Sequence, residues 1–263
     1  MKEKKETIKS RRENPLNTPA LIPHGNGKLL DYTDENGVSF RYAQVNTRAL
    51  LDCPFATEGC KAVCYATKGN HQFSDVKESR IKSYNETRRE DFPEAMLYTI
   101  ETEKRTKRYS NSVMIIRIHE SGDFYSLQYM KKWVKIWAGL EHDDTTKSVL
   151  YTKCFKFLLM LNEEERALIN RMLESGKLSI NLSLDDTTTE EQLQAYLEVK
   201  KLYPKTNTYY ATEHIDNVEH DNVCDCADCA KCGTCNRGTG KTTVVKIHSA
   251  SRSDMETYRA NIK

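Results

Sequence analysis

The sequence predicts an α/β protein built on a parallel sheet of six strands, and three observations predict it. Short apolar runs suited to buried strands recur about every thirty residues from Val113 onward. Amphipathic helical stripes fill the first three gaps between those runs. One further strand, Val38 to Val45, precedes the series. Strands alternating with helices at this spacing require right-handed crossovers between parallel neighbours. Periodicity by itself leaves two architectures open, a doubly wound sheet and an incomplete barrel, and both put their chemistry at the carboxyl ends of the strands.

Residues 1–27 are expected to form an irregular, mobile basic tail. Lys, Arg and Glu alternate at its start without an apolar period, and Pro15, Pro19 and Pro23 keep the remainder irregular. The folded domain spans 28–251 and opens with two extended stretches around Asp34-Glu35-Asn36-Gly37, because Asn-Gly favours a tight hairpin turn. Helices are expected from Ser74, read as an N-cap, to about Arg89, and from Pro93 in a first turn to about Arg108. The later strands are Val113 to Ile118, Ser148 to Thr152, Leu178 to Leu184, Thr208 to Ala211 and Thr243 to Ile247. Between them, Leu127, Met130, Val134 and Trp137 mark one helix face, and Leu168, Met172 and Leu173 the next. Leu193, Tyr196 and Leu197 mark the third, behind a Thr188/Glu191 capping box. Trp133 and Trp137 are read as a core pair. A cysteine-rich insertion, residues 222–240, precedes the last strand, and residues 252–263 are read as a C-terminal helix.

Composition narrows the function classes. With 38% hydrophobic and 30% charged residues the chain has apolar positions enough for a core, so wholesale disorder is not expected. Its apolar runs fall far short of the ~20 residues of a membrane span, and the stretch from Met1 to Asn14 is charged throughout without the apolar run of a secretory signal, so residence in the cytoplasm is expected. Forty basic against thirty-eight acidic side chains argue neither for nor against a nucleic-acid partner.

The cysteines carry the chemistry. Eight of nine fall in two windows: Cys53, Cys60 and Cys64, then Cys224, Cys226, Cys229, Cys232 and Cys235. In a reducing compartment, thiols this closely spaced on loops are metal or cluster ligands rather than disulfide partners. The first window, C-x6-C-x3-C closing on Cys64-Tyr65-Ala66, supplies three thiolates. A [4Fe–4S] cluster held by three cysteines leaves one iron open, whereas zinc would need a fourth ligand, His71 or a cysteine of the second window. The second window has four thiols at x2 intervals plus Cys224 as a spare or replacement ligand; an iron–sulfur cluster is favoured there, with zinc the competitor.

Groups just past the strands complete the expected rim: His119-Glu120-Ser121-Gly122-Asp123, Lys153-Cys154, Asp185-Asp186, Glu213-His214 and His248. The three-cysteine loop directly after the first strand, the βα series and the Gly-plus-acid turn together resemble the radical S-adenosylmethionine superfamily. With His119-Glu-Ser-Gly-Asp-Phe124 and the C-terminal cysteines added, the chain more closely resembles an uncharacterised phage family called gene product eighty-eight. The superfamily resemblance implies a six-unit βα partial (TIM-like) barrel, with Cys53, Cys60 and Cys64 on a [4Fe–4S] cluster and Tyr65 beside it. It also implies that Ser121, Gly122 and Asp123 receive the methionyl amine of S-adenosylmethionine and that Asn181, Ser183 and Asp185 face its ribose. Reductive cleavage would then yield a 5′-deoxyadenosyl radical that abstracts hydrogen from a small-molecule or nucleotide substrate, fed by an external electron donor. Both cysteine gaps are longer than the superfamily's usual C-x3-C-x2-C, and Ser-Gly-Asp stands where Gly-Gly-Glu is common.

Two competing readings accompany the enzyme. One is a non-catalytic, zinc-stabilised binding module that contacts nucleic acid through its tail and knuckles. The other is an iron–sulfur sensor or electron-transfer protein with saturated iron. Lys153 and Cys154 are read as ordinary rim residues without a second positioned group. Arg237 to Thr243 imitates the end of a phosphate-binding loop, but Cys235 stands where the first glycine is needed and a strand comes next where a helix is required.

Overall fold

Six parallel strands assemble side by side in the order in which the chain supplies them, and one short strand lies out of that order at the far edge. A computed structural model describes residues 22–23, 31–224, 233–247 and 250–262. Its strands are β1 (Ile22–Pro23), β2 (Tyr32–Thr33), β3 (Ser39–Val45), β4 (Val113–Ile118), β5 (Thr146–Thr152), β6 (Leu178–Asp185), β7 (Asn207–Thr212), β8 (Asn222–Val223) and β9 (Thr242–Lys246). They form one sheet in the order β1-β3-β4-β5-β6-β7-β9-β8, with β2 also pairing β3. From β3 to β8 every described pairing is parallel; β1 and β2 run antiparallel along the free edge of β3. From β3 through β7 to β9 the order follows the chain, and only the two-residue β8 lies out of sequence, outside β9, so among the described strands the central sheet has no switch point of the doubly wound kind.

The described helices are α1 (Glu58–Ala62), α2 (Ser74–Arg88), α3 (Phe92–Lys104), α4 (Leu127–Leu140), α5 (Phe155–Leu159), α6 (Glu163–Glu174), α7 (Glu190–Leu202) and α8 (Arg252–Ala260). The main core lies between helices and one face of the sheet, where Ala43, Ile116, Leu150, Ile180 and Leu182 meet Met96, Trp133, Trp137, Ile169 and Val199. Trp133 and Trp137 are both buried there, their rings 6.3 Å apart. The opposite face is different in kind. Along β6, Leu178, Ile180, Leu182 and Leu184 point to the helices while Ser179, Asn181, Ser183 and Asp185 point away. Tyr42, Ile115 and Val149 are the small apolar patch of this second face.

The six expected strands all form, with bounds shifted by a residue or two; the extended stretch expected before Asp34 is β2, and β1 and β8 are additional. The Asn36-Gly37 turn does join β2 to β3, and Gly37 takes the positive φ of 80° that makes glycine suitable there. Four local expectations need correction. Ser74 is the first residue of α2 rather than its cap, and Phe73 precedes it without a side-chain cap. The helix containing Pro93 ends at Lys104, not Arg108, because the chain turns there through Thr106 to bury Tyr109 against Tyr42. The capping box of α7 is Thr189 with Gln192, one residue beyond the expected pair. Leu193 and Leu197 do not face the core: Ala195 and Val199 do, and the two leucines are left 36% and 43% exposed. A helix that packs through Ala195 can approach the sheet closely, which turns the larger side chains outward.

Within the stretch expected to be an irregular tail, Ile22–Pro23 pairs with β3; the rest of residues 1–30 lies outside the described residues. So do Cys226, Cys229, Cys232 and His248. No described helix is long and apolar enough to cross a membrane.

Candidate functional site

Hydrogen bonding within the loop after β3 brings the first three cysteines to the carboxyl edge of the sheet. Asp52, fully buried, accepts from the Arg48 backbone N–H at 2.7 Å and from its guanidinium at 2.6 Å, and Arg48 stacks on Tyr84 at 3.6 Å. This closes the turn that presents Cys53. Cys60 rides on α1, whose N-cap Thr57 accepts from the Cys60 N–H at 3.0 Å and donates to Asp185 Oδ2 at 2.6 Å, tying the helix to the end of β6. Cys64 opens the short 3-10 turn of residues 65–67, and Arg80 donates to Ala66 O at 3.2 Å from behind it.

The three thiols lie within electrostatic reach of one another, and all are free. Burial pushes each of them up, Cys60 to about 11, so a bound cation is what would favour their thiolates. Among the described residues no three His, Cys, Asp or Glu side chains are arranged to hold a single metal ion. The donor set, three thiols on separate turns, suits a polynuclear cluster that binds each thiolate at its own iron. His71 is not directed at these thiols through Nδ1, which accepts from Arg80 at 2.5 Å while the ring packs on Tyr65. Buried Cys154, read from the sequence as an ordinary rim residue, lies within electrostatic reach of Cys53 and donates to Phe124 O at 3.2 Å.

The turn after β4 lies directly beside this loop. Asn46 Oδ1 accepts from the Glu120 N–H at 2.8 Å, Ser121 Oγ donates to Thr47 O at 2.7 Å, and Thr47 N–H donates to Ser121 O at 3.0 Å. Gly122 is obligatory: its φ is +84°, and a Cβ there would lie 1.9 Å from Thr47 Oγ1. Asp123 is buried and its carboxylate accepts from Thr152 Oγ1 at 2.7 Å, Phe124 N–H at 2.8 Å and Lys153 N–H at 3.0 Å. Burial nonetheless raises its pKa above the usual range. Tyr65 reaches the turn by donating its hydroxyl to Glu120 O. His119 is not a rim residue: it is 3% exposed, bonded to Tyr129 OH at 2.9 Å, and burial, then Arg117, hold its pKa down to about 3.

Lys153 and Asp185 form a buried ion pair at 2.8 Å between the ends of β5 and β6. Burial works to raise the Asp185 pKa, but Lys153, Thr187 and Thr57 together hold it below the ordinary value. Both lie within electrostatic reach of Cys60. Lys153 is therefore positioned by a second group, which its sequence context did not reveal.

The sequence also did not reveal what Asn181 contacts. Its Nδ2 donates to Leu150 O and to Cys235 O, both at 3.0 Å, and Ser179 Oγ donates to Cys235 O at 2.8 Å. Asn207 donates to Arg237 O at 2.7 Å and accepts from Thr239 N–H at 3.0 Å; Asn236 donates to Tyr42 OH at 2.6 Å. The second face of the sheet thus anchors residues 234–239 and brings Cys235 within electrostatic reach of Arg117 and Tyr151. The polar alternation of β6 was the available signal for such a face. Cys224 is held beside β9, its N–H donating to Val244 O at 2.7 Å. After Gly240 the chain enters β9 rather than the helix that a phosphate-binding loop requires.

Fold and rim define an α/β protein with sequential parallel strands and a thiol-bearing carboxyl edge. The chain belongs to the Gene product 88 family, whose sequence profile matches residues 3–238. No curated protein and no solved structure matches it.

Proposed function

We propose that this protein is an iron–sulfur enzyme of radical S-adenosylmethionine type, with its sheet forming a six-unit partial barrel whose interior is the polar second face. The observation that carries the reading is the convergence of Cys53, Cys60 and Cys64 beside the Ser121-Gly122-Asp123 turn at the carboxyl edge of a sequentially ordered parallel sheet. Cys53, Cys60 and Cys64 would hold a [4Fe–4S] cluster. Bound with one iron open and reduced by an external electron donor, it would pass the electron that cleaves S-adenosylmethionine to methionine and a 5′-deoxyadenosyl radical, which takes hydrogen from a small-molecule or nucleotide substrate.

The chain's own residues orient and enclose. Gly122 lets the turn close against Thr47, and Asp123 fixes it to the end of β5. Tyr65 bridges the cysteine loop to that turn. Of the three residues proposed to face the ribose, Asn181 and Asp185 are engaged by protein partners, whereas the Ser183 hydroxyl has no hydrogen-bond partner among the described residues. Ser183 is thus the member of that set best able to contact the cofactor. The second cysteine window would carry an auxiliary cluster, or zinc.

The test is iron, acid-labile sulfide and zinc per chain on protein purified without oxygen, followed by an assay for 5′-deoxyadenosine under reduction. Iron and sulfide in the proportions of one or two cubanes support the reading. Zinc without sulfide overturns it in favour of a metal-stabilised binding module, and iron without cofactor cleavage in favour of a sensor or electron carrier.

A further inference from the structure

Arg117 is a cation of the second face with no carboxylate partner among the described residues; the groups within its electrostatic reach are Tyr151, Tyr65 and Cys235. It projects from β4 beside Tyr151 of β5, its guanidinium carbon 3.9 Å from the centre of that ring. Its Nε is buried and has no hydrogen-bond partner among the described residues. Asp185, Asp52 and Asp31 are each paired elsewhere, with Lys153, with Arg48, and with Arg41 and Arg108 respectively, while Glu120 lies within electrostatic reach of Arg80, His71 and Tyr65. Tyr65 lies within electrostatic reach of Arg117 and Arg80, so the positive region adjoins the three-cysteine loop. A half-buried guanidinium with an orphaned donor is costly unless a charged group completes it. A ring-backed guanidinium presents a planar fork that matches two oxygens of one anion.

We propose that Arg117, held against Tyr151, binds an oxyanion of the substrate, a phosphate or a carboxylate, on the second face of the sheet. The word substrate rests on the enzyme reading above; the anion site rests on Arg117 alone. The aromatic wall continues from Tyr151 to Tyr209, whose rings meet edge to face at 4.9 Å, so the apolar part of the same molecule has a surface to lie on.

The experiment is calorimetric titration of the full-length, metal-loaded chain with inorganic phosphate and, separately, with succinate. At least one should bind. Arg117→Gln should weaken that binding about tenfold or more, as loss of a charge-assisted pair does, and Arg117→Lys should fall between the two. Unchanged circular dichroism and metal content in the variants would show that the site, not the fold, was altered. Preference for phosphate supports a phosphate ester as substrate, and preference for succinate supports a carboxylate. The proposal is overturned if folded wild type binds neither, or if Arg117→Gln binds as well as wild type. It is likewise overturned if that variant loses the metal of the second window while keeping the anion. Metal content reports on the enzyme and titration on the anion, so each reading can fail alone.

Discussion

Gly59 and Tyr258, 199 positions apart in the chain, touch so closely that a Cβ on the glycine would lie 2.6 Å from the tyrosine ring. Tyr258 belongs to α8, which lies beyond the span matched by the family, yet its buried ring closes over the helix that carries Cys60. The contact is secured by Tyr258 OH donating to Asp186 Oδ2 at 3.1 Å, by Gly59 N–H donating to Thr187 Oγ1 at 2.9 Å, and by an ion pair of Lys68 with Asp254. Gly59→Ala should destabilise the protein by about 1–3 kcal/mol, the usual cost of overpacking. Under the proposed function it should also lower the iron retained after desalting; denaturant unfolding and metal analysis check the two effects separately.

Under the proposed function, Cys60→Ala should remove the cluster of the first window and abolish cofactor cleavage while leaving any metal of the second window in place. Metal analysis of the variant decides this. Loss of both metals together would mean one shared site instead.

Lys153→Met leaves the Asp185 carboxylate buried without its cation, so it should cost about 3–5 kcal/mol. Adding Asp185→Asn should recover a large part of that loss, because the uncompensated charge is then gone. A double-mutant cycle by urea unfolding measures the recovery, and two additive losses would contradict a direct pair.

His119 ties stability to pH. Its folded pKa of about 3 lies below the unfolded value near 6.5, so the unfolded chain binds the extra proton between those limits. The stabilising contribution is complete above pH 6.5 and is lost progressively as pH falls toward 3. At pH 5 the loss is about 2 kcal/mol, from ~1.4 kcal/mol per pH unit. His119→Asn, a residue tolerant of the positive φ of 63° found there, should flatten stability against pH over this window in unfolding titrations.

Asn207→Ala should release the segment at the end of the second cysteine window. It removes the acceptor of the Thr239 N–H and the donor to Arg237 O, leaving both groups unpaired at a cost of about 2–3 kcal/mol. Hydrogen exchange at the Thr239 amide should accelerate well before that of β6.

Six of the strands and the residues that come after them were legible in the sequence, because a two-residue side-chain period and the spacing of βα units are local properties of the chain; the order in which the strands pair was not, since a doubly wound sheet and a partial barrel share that spacing. The sequence also determined both cysteine windows, whose members are neighbours in sequence. It misjudged the outward side of α7, since Leu193 and Leu197 satisfy a helical period as well as Ala195 and Val199 do. It is in the folded chain that Lys153 is seen to pair with Asp185, Asn181 and Asn207 to hold Cys235 and its neighbours, and Tyr258 to seal the helix of Cys60. Each of these joins groups far apart in the chain, and whether a polar side chain meets a neighbour, a ligand or water depends on which distant segment folds over it.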